Sequence, residues 1–303
     1  MTTTTTTVSV PLRTTSPLAH LRDLFLLSKP RLSGLVVITS AGGMWLAPGR
    51  IAPARAVLTV LSTAAVVGAA NALNCYLERD IDARMRRTRD RPIPAGRVEP
   101  FVALGLGIAV PAFAIPILAL AAGPLTALLA VVALATYVLV YTPMKPRSTL
   151  ALFVGAIPGA IPPLMGWTAV TGGIEAGGVA LAALLFVWQL PHFLAISIYL
   201  AEDYARGGLK VFALIHGEAR TRLWIAVFSV LLVPVSLALV PLRVAGPLYG
   251  AAAVALGAGL AGFALLGLGR AGGRWARSFF LATLIYLTAL FAVLFALRPG
   301  DLS

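Results

Sequence analysis

The chain has 303 residues, 59% of them hydrophobic and 12% charged, with a mean hydropathy of +0.92. Soluble domains carry about 25% charged residues, so this composition excludes an ordinary water-soluble domain, and the single Cys75 excludes an internal disulfide or a multi-cysteine metal site. The net charge of +13 belongs to cations spaced between apolar runs, a pattern that orients membrane spans and does not call for nucleic acid.

In chain order, residues 1–27 read as a disordered, Thr-rich tail and entry segment without the apolar core of a signal peptide. His20 lies there and carries no functional weight. Residues 28–298 read as one polytopic all-α membrane domain, and 299–303 as a short C-terminal tail. The spacing of apolar runs predicts nine transmembrane helices near 32–48, 55–77, 101–121, 124–142, 149–170, 178–200, 222–241, 247–268 and 276–297. With nine spans, twenty of the 24 Lys and Arg fall on one face, together with nine of the eleven acids. The positive-inside rule makes that face cytoplasmic, with the N-terminus inside a cell membrane and the C-terminus outside. A topology signal needs only the cations; the excess of acids on the same face marks a site.

The sharpest candidate is Asn74-Cys-Tyr-Leu-Glu78-Arg-Asp80-Ile-Asp82 at the end of the second span. On a helix, Asn74, Glu78 and Asp82 share an arc of roughly 80°. Such a row of oxygens suits Mg2+ carrying a diphosphate; it equally describes a solvated helix end whose acids pair with neighbouring arginines. Asp80 lies on the other side, as a partner for Arg84 or Arg87, and Cys75 reads as a small packing residue. At the end of the sixth span, Tyr199 and Asp203 repeat the i, i+4 spacing on the same face, so the two rows can clamp a metal diphosphate between them. Arg84, Arg91, Lys145 and Arg147, in loops of the same face, are candidates to take phosphate charge.

Two histidines stand out. His192 lies inside the sixth span, where a polar group is a functional candidate, and His216 lies in the following loop. Each is open to two readings, a hydrogen-bonded packing residue or an axial ligand to an iron porphyrin. The fifth span carries Gly155, Pro158, Gly159, Pro162, Pro163 and Gly166, which predicts close helix packing and a kink that a bulky ligand cavity would tolerate.

From Ser28-Lys-Pro-Arg31 through the last span, these residues resemble the UbiA-type intramembrane prenyltransferases, and within them the branch that farnesylates heme. The resemblance is carried by Asn74–Thr88, Arg91-Pro-Ile-Pro94, Gly159-Ala-Ile-Pro-Pro-Leu-Met-Gly-Trp167, Trp188-Gln-Leu-Pro-His-Phe193 and Glu202-Asp-Tyr-Ala-Arg-Gly-Gly208. The family motif Asn-Asp-x-x-Asp-x-x-x-Asp is met at Asn74 and Asp82, with Glu78 at its middle acid and Cys75 at its second position. The second motif, Asp-x-x-x-Asp, is met at Asp203, with Tyr199 at its first acid. Pro146 and Ala151 depart from residues common in the branch. The resemblance implies a UbiA-type bundle with a cytoplasm-facing cavity and Mg2+ on Asn74, Glu78, Asp82 and Asp203. It implies farnesyl diphosphate and heme b as substrates, with Arg84, Arg91, Lys145 and Arg147 on the diphosphate and His192 and His216 toward heme. An aromatic quinone precursor as acceptor, or a transporter or assembly role, are the competing expectations. Docking of a downstream heme-modifying membrane enzyme is left open.

Overall fold

The computed structural model describes residues 16–269 and 272–297. The first fifteen residues of the Thr-rich tail and the C-terminal tail at 299–303 lie outside the described residues, as do residues 270 and 271. Among the described residues all regular structure is helical. In chain order the elements are α1 Pro17–Leu27, α2 Pro30–Leu46, α3 Pro53–Leu77, α4 Arg79–Asp82, α5 Pro100–Ala122 and α6 Pro124–Ala135. A π-helical stretch, Thr136–Tyr141, then leads into α7 Thr142–Met144. They continue with α8 Ala151–Thr171, α9 Ala176–Tyr199, α10 Ala201–Gly207, α11 Phe212–His216, α12 Glu218–Leu237, α13 Pro247–Leu266 and α14 Gly273–Ala296.

Helix starts follow from proline. Pro17, Pro30, Pro53, Pro100, Pro124 and Pro247 each open a helix at its first turn, where the missing N–H costs nothing and the fixed φ is already helical. Gly172 closes α8 in the left-handed region at φ 74, a conformation that needs no Cβ. Eight helical stretches are long and apolar enough to cross a membrane, and a ninth is formed when α1 and α2, bent 50° apart, are taken together. The nine expected spans all appear, with shifted ends.

Two differences have physical causes. Part of the expected disordered entry segment is helical from Pro17, because Asp23 and Leu27 find buried partners on the bundle. The seventh span starts at Glu218 rather than near 222, because Arg222 is itself buried. Its guanidinium donates to Gly267 O at 3.0 Å, Gly272 O at 3.2 Å and the Glu218 carboxylate, and lies 4.7 Å over the Trp275 ring. A charge that is fully paired no longer marks the edge of a helix.

The core is built on α8 and α9. Helix α9 packs against α8, α12 and α14, α8 packs against α2, and α3 against α5. The α2–α8 contact is backbone to backbone. A Cβ added at Gly166 would stand 1.8 Å from Ser40 O, and one at Gly43 would stand 2.0 Å from Pro163 O. The glycines of the proline-rich segment therefore serve close packing, as expected, and the helix runs on as one element through its three prolines. Substituting Gly166→Val should lower the melting temperature of the detergent-solubilised protein by the equivalent of at least the ~1–3 kcal/mol typical of overpacking. Gly262→Ala, inside α13 where an added Cβ meets open space, should not lower it, alanine being the better helix former.

Candidate functional site

The polar row survives a break in its helix. Helix α3 ends at Leu77 and α4 begins at Arg79, yet Glu78 N still donates to Asn74 O at 2.9 Å and Asp82 N to Glu78 O at 2.7 Å. Asn74, Glu78 and Asp82 stay one turn apart, and all three are buried, at 0%, 6% and 1% exposure. The solvated helix end is thereby ruled out.

Each oxygen of the row faces a cation from a different element. Lys29 Nζ donates to Asn74 Oδ1 at 2.5 Å from the elbow between α1 and α2. Lys145 Nζ lies 2.7 Å from Glu78 Oε1 just after α7, an ion pair without hydrogen-bond alignment. Arg91 donates to Asp82 Oδ2 at 2.6 Å from the loop after α4. Burial alone would raise the Glu78 carboxyl, but Lys145 and Lys29 outweigh it and hold it below the ordinary carboxylate range. Burial pulls Lys29 down to about 8, with Arg91 and Lys145 pushing the same way. Lys145 is raised despite its burial, by Tyr141 and Glu78.

The π-helical stretch supplies the wall opposite. Thr142 N–H and Thr142 Oγ1 both donate to Tyr137 O, the i→i+5 spacing of a π turn. This sets the Tyr137 and Tyr141 rings 5.5 Å apart, with Lys145 Nζ 4.5 Å over the Tyr141 ring. Tyr137 OH donates to Asn71 Oδ1 at 3.3 Å, and Asn74 Nδ2 donates to Thr142 Oγ1 at 3.1 Å.

Asp203 is near the row but differently employed. Its Oδ1 accepts from Arg86 N at 2.7 Å and its Oδ2 from Arg87 N at 3.3 Å. It pins the loop that carries Arg91, with Arg206 3.6 Å away. The expectation that Asn74, Glu78, Asp82 and Asp203 form one metal set meets this arrangement: among the described residues no three acidic, His or Cys side chains converge on a metal-sized point. Glu78 and Asp82 retain the right chemistry, hard carboxylate oxygens of which Asp82 Oδ1 is buried without a hydrogen-bond partner. Two carboxylates completed by phosphate oxygens suffice for Mg2+, so the pair fits that ion.

The hydrogen bonds and ion pairs of the row do not reach Arg84, Arg147 or Tyr199. Arg84 Nε donates to Asp80 O and is exposed, Arg147 is exposed, and the Tyr199 ring lies 5.6 Å from the Arg277 guanidinium. Asp80 pairs loosely with Arg79 at 4.0 Å, not with Arg84 or Arg87. Cys75 is the expected packing residue, buried with its Sγ 3.9 Å from Leu27 O. Lys29 is the residue at the row that motif reading passed over. Its signal is a lone lysine before the proline that opens α2, held at φ 49 and ψ 62, a left-handed conformation uncommon outside glycine.

The histidines separate. His216 ends α11, with Thr149 Oγ1 at 3.3 Å and its ring against Phe212. His192 is buried in α9 between the rings of Trp188 and Phe280, each 4.7 Å away. Thr283 Oγ1 gives its single proton to Phe280 O at 2.6 Å. The 2.7 Å contact with His192 is therefore an Nδ1–H donation to Thr283, which leaves Nε2 as the nitrogen with the lone pair.

The chain matches the model of the UbiA prenyltransferase family over residues 35–296. It is 74% identical over 282 residues to a protoheme IX farnesyltransferase of Anaeromyxobacter dehalogenans (strain 2CP-C), covering 93% of this chain and 96% of that protein. It is 52% identical over 273 residues to a protein of the same name from Myxococcus xanthus (strain DK1622), covering 90% and 93%. Its fold is similar to a digeranylgeranylglyceryl phosphate synthase, with a TM-score of 0.80 at 15% identity over 94% of this chain and 100% of that one. It is also similar to a UbiA homolog from Archaeoglobus fulgidus bound to DMAPP and Mg2+, with a TM-score of 0.64 at 17% identity over 90% and 98%.

The row makes a stability prediction independent of any activity. Lys145→Met strands the buried Glu78 anion and should cost about 3 kcal/mol or more, read as a fall in melting temperature. Adding Glu78→Gln should restore most of the loss.

Proposed function

The chain belongs to the UbiA prenyltransferase family, and we propose that it transfers the farnesyl group of farnesyl diphosphate to a vinyl group of heme b, releasing diphosphate and giving heme O. It is a multi-pass membrane prenyltransferase. The reading of the site rests on one observation above the rest: three buried oxygens in a row, each facing a cation from a different element.

Those cations do the first part of the work. The C1–O bond of the farnesyl diphosphate breaks only if the charge gathering on the leaving diphosphate is neutralised. Lys29, held by the Asn74 amide oxygen, and Lys145 and Arg91, held by Glu78 and Asp82, are already drawn largely out of water beside the row and turn to phosphate from those partners. Mg2+ held by Glu78 and Asp82 would add Lewis-acid neutralisation of the same charge, and the UbiA homolog from Archaeoglobus fulgidus binds DMAPP and Mg2+ together. Arg84, Arg147 and Tyr199 stand outside this set; Asn74 orients Lys29, and Asp203 orients the Arg91 loop.

The allylic cation left behind must meet the vinyl group before it meets water. Tyr137 and Tyr141 present aromatic faces beside the row, and the helix interior excludes water. The terminal vinyl carbon bonds to farnesyl C1, and the cation produced next to the porphyrin takes up water and loses a proton, giving the hydroxyethylfarnesyl group. No protein nucleophile is needed. Heme would be held by His192, whose Nε2 lone pair, left available by the bond to Thr283, would meet the iron; His216 ends α11 beside Thr149 and Phe212. The site opens on the cytoplasmic face, where the cations concentrate.

Membranes holding the protein, supplied with farnesyl diphosphate and heme b, should form heme O detectable by mass. Prenylation of an aromatic acid in its place would overturn the acceptor. Asp82→Asn should lower the rate by about 100-fold, the scale of losing a main electrostatic contribution at the leaving group, here through the Mg2+ and Arg91 that Asp82 would hold, with the protein still inserted. His192→Ala should abolish the heme-binding change in the Soret band while leaving affinity for a prenyl diphosphate intact; equal loss of both would assign His192 to packing.

A further inference from the structure

Helix α1 is amphipathic with its sides reversed. Its packed side carries the buried Asp23, whose two carboxylate oxygens each accept from Arg97 Nε at 3.1 Å, and Leu27, seated against Cys75, Ile93 and Val98. Its exposed side carries Leu18, Leu21, Phe25 and Leu26, the first 79% exposed, with Arg22 as the one charge among them. At 100° per residue these side chains fill an arc of about 140°. A helix washed by water turns its apolar stripe inward; this one turns it out.

The stripe continues into an apolar surface already assigned to lipid. Across the 50° bend, α2, which with α1 makes up the ninth candidate span, exposes Leu32, Leu35 and Ile38. Two polar ties hold α1 at the charged end of the bundle, where spans leave the bilayer: Asp23 to Arg97, and the elbow Lys29 to Asn74. Arg22 and Arg31 are exposed beside the stripe, as cations at the headgroup level are. A second copy of the chain is a poor occupant, because a helix about 16 Å long offers far less than the roughly 800 Å2 per partner of a stable interface.

We propose that α1 lies in the lipid–water boundary, with Leu18, Leu21, Phe25 and Leu26 among the acyl chains, and that this seating holds Lys29 over the diphosphate row. The second half rests on the reading of the row as the diphosphate site. The elbow explains the link. Lys29 occupies a left-handed backbone conformation, its neighbour Ser28 O accepts from Asn71 Nδ2 at 3.3 Å and from Ser33 Oγ at 2.5 Å, and α1 is the lever on the far side. A lipid-seated α1 cannot swing away, so the lysine stays presented at Asn74.

The experiment uses the full chain in lipid nanodiscs. Cysteines placed singly at Leu18, Leu21 and Phe25 in a Cys75→Ala background are nitroxide-labelled, and collision with oxygen is compared with collision with a water-soluble nickel chelate. Oxygen-favoured collision at all three positions is expected. Equal access by the nickel chelate, exclusion of both reagents, or spin–spin broadening that disappears on dilution with unlabelled protein would each overturn the lipid assignment. They would point to water, to a covering protein segment and to a second copy, respectively. For the coupling, Leu21→Glu/Phe25→Glu should raise KM for the prenyl diphosphate about tenfold, with KM for heme unchanged. An unchanged KM in that variant, while Arg91→Ala raises it, would sink the coupling alone. No change in either variant would sink the diphosphate reading itself.

Discussion

Everything at the charged end of this bundle depends on one constraint: charged and polar groups taken out of water must each find a partner. Asn74, Glu78 and Asp82 are almost wholly buried, and isolated charges there would cost more than the fold can supply. The protein meets the constraint with Lys29, Lys145 and Arg91, drawn from an elbow, a helix end and a loop. The same pairing that makes the folded state tolerable preorganises cations for an anionic substrate. The electrostatics of folding and of ionisation are therefore one arrangement, and the loop pinned by Asp203 through two backbone amides is part of it.

The packing of the other half serves a different end. Helix α9 is the axis, and its His192 is fixed by groups on α14: Thr283 through a hydrogen bond and Phe280 through ring contact. Trp188 Nε1 also donates to Thr283 O at 2.8 Å. The position of α14 thus sets the orientation of a histidine one helix away. Arg222, buried on α12, ties Gly267, Gly272 and Trp275 together at the start of α14, which holds that helix in place from its end.

Local patterns were legible in the sequence, and pairings across the chain were not. Nine apolar runs, the one-turn spacing of the row and the small residues of α8 all follow from composition and period, and each has its place in the structure. What spacing cannot show is which cation meets which oxygen. Lys145 and Glu78 are brought together only by the crossing of two spans. Asp203 matches a family motif, yet its carboxylate is occupied by backbone amides, because a motif fixes residue type and not the neighbour that folding delivers. The helical α1 escaped notice for a related reason. Its buried Asp23 and exposed leucines run against the usual pattern, and only a partner at Arg97 makes that order sensible.

The wide turn at Thr136–Tyr141 has an effect beyond its own six residues. An inserted residue in a helix rotates everything after it by about 100°. Upstream, α6 keeps the ordinary phase of a span that exposes Leu128, Val131 and Val132. Downstream, Thr142 and Lys145 face Asn74 and Glu78. The turn works as a phase shifter, letting a single span answer to the bilayer along most of its length and to an ionic chamber at its end.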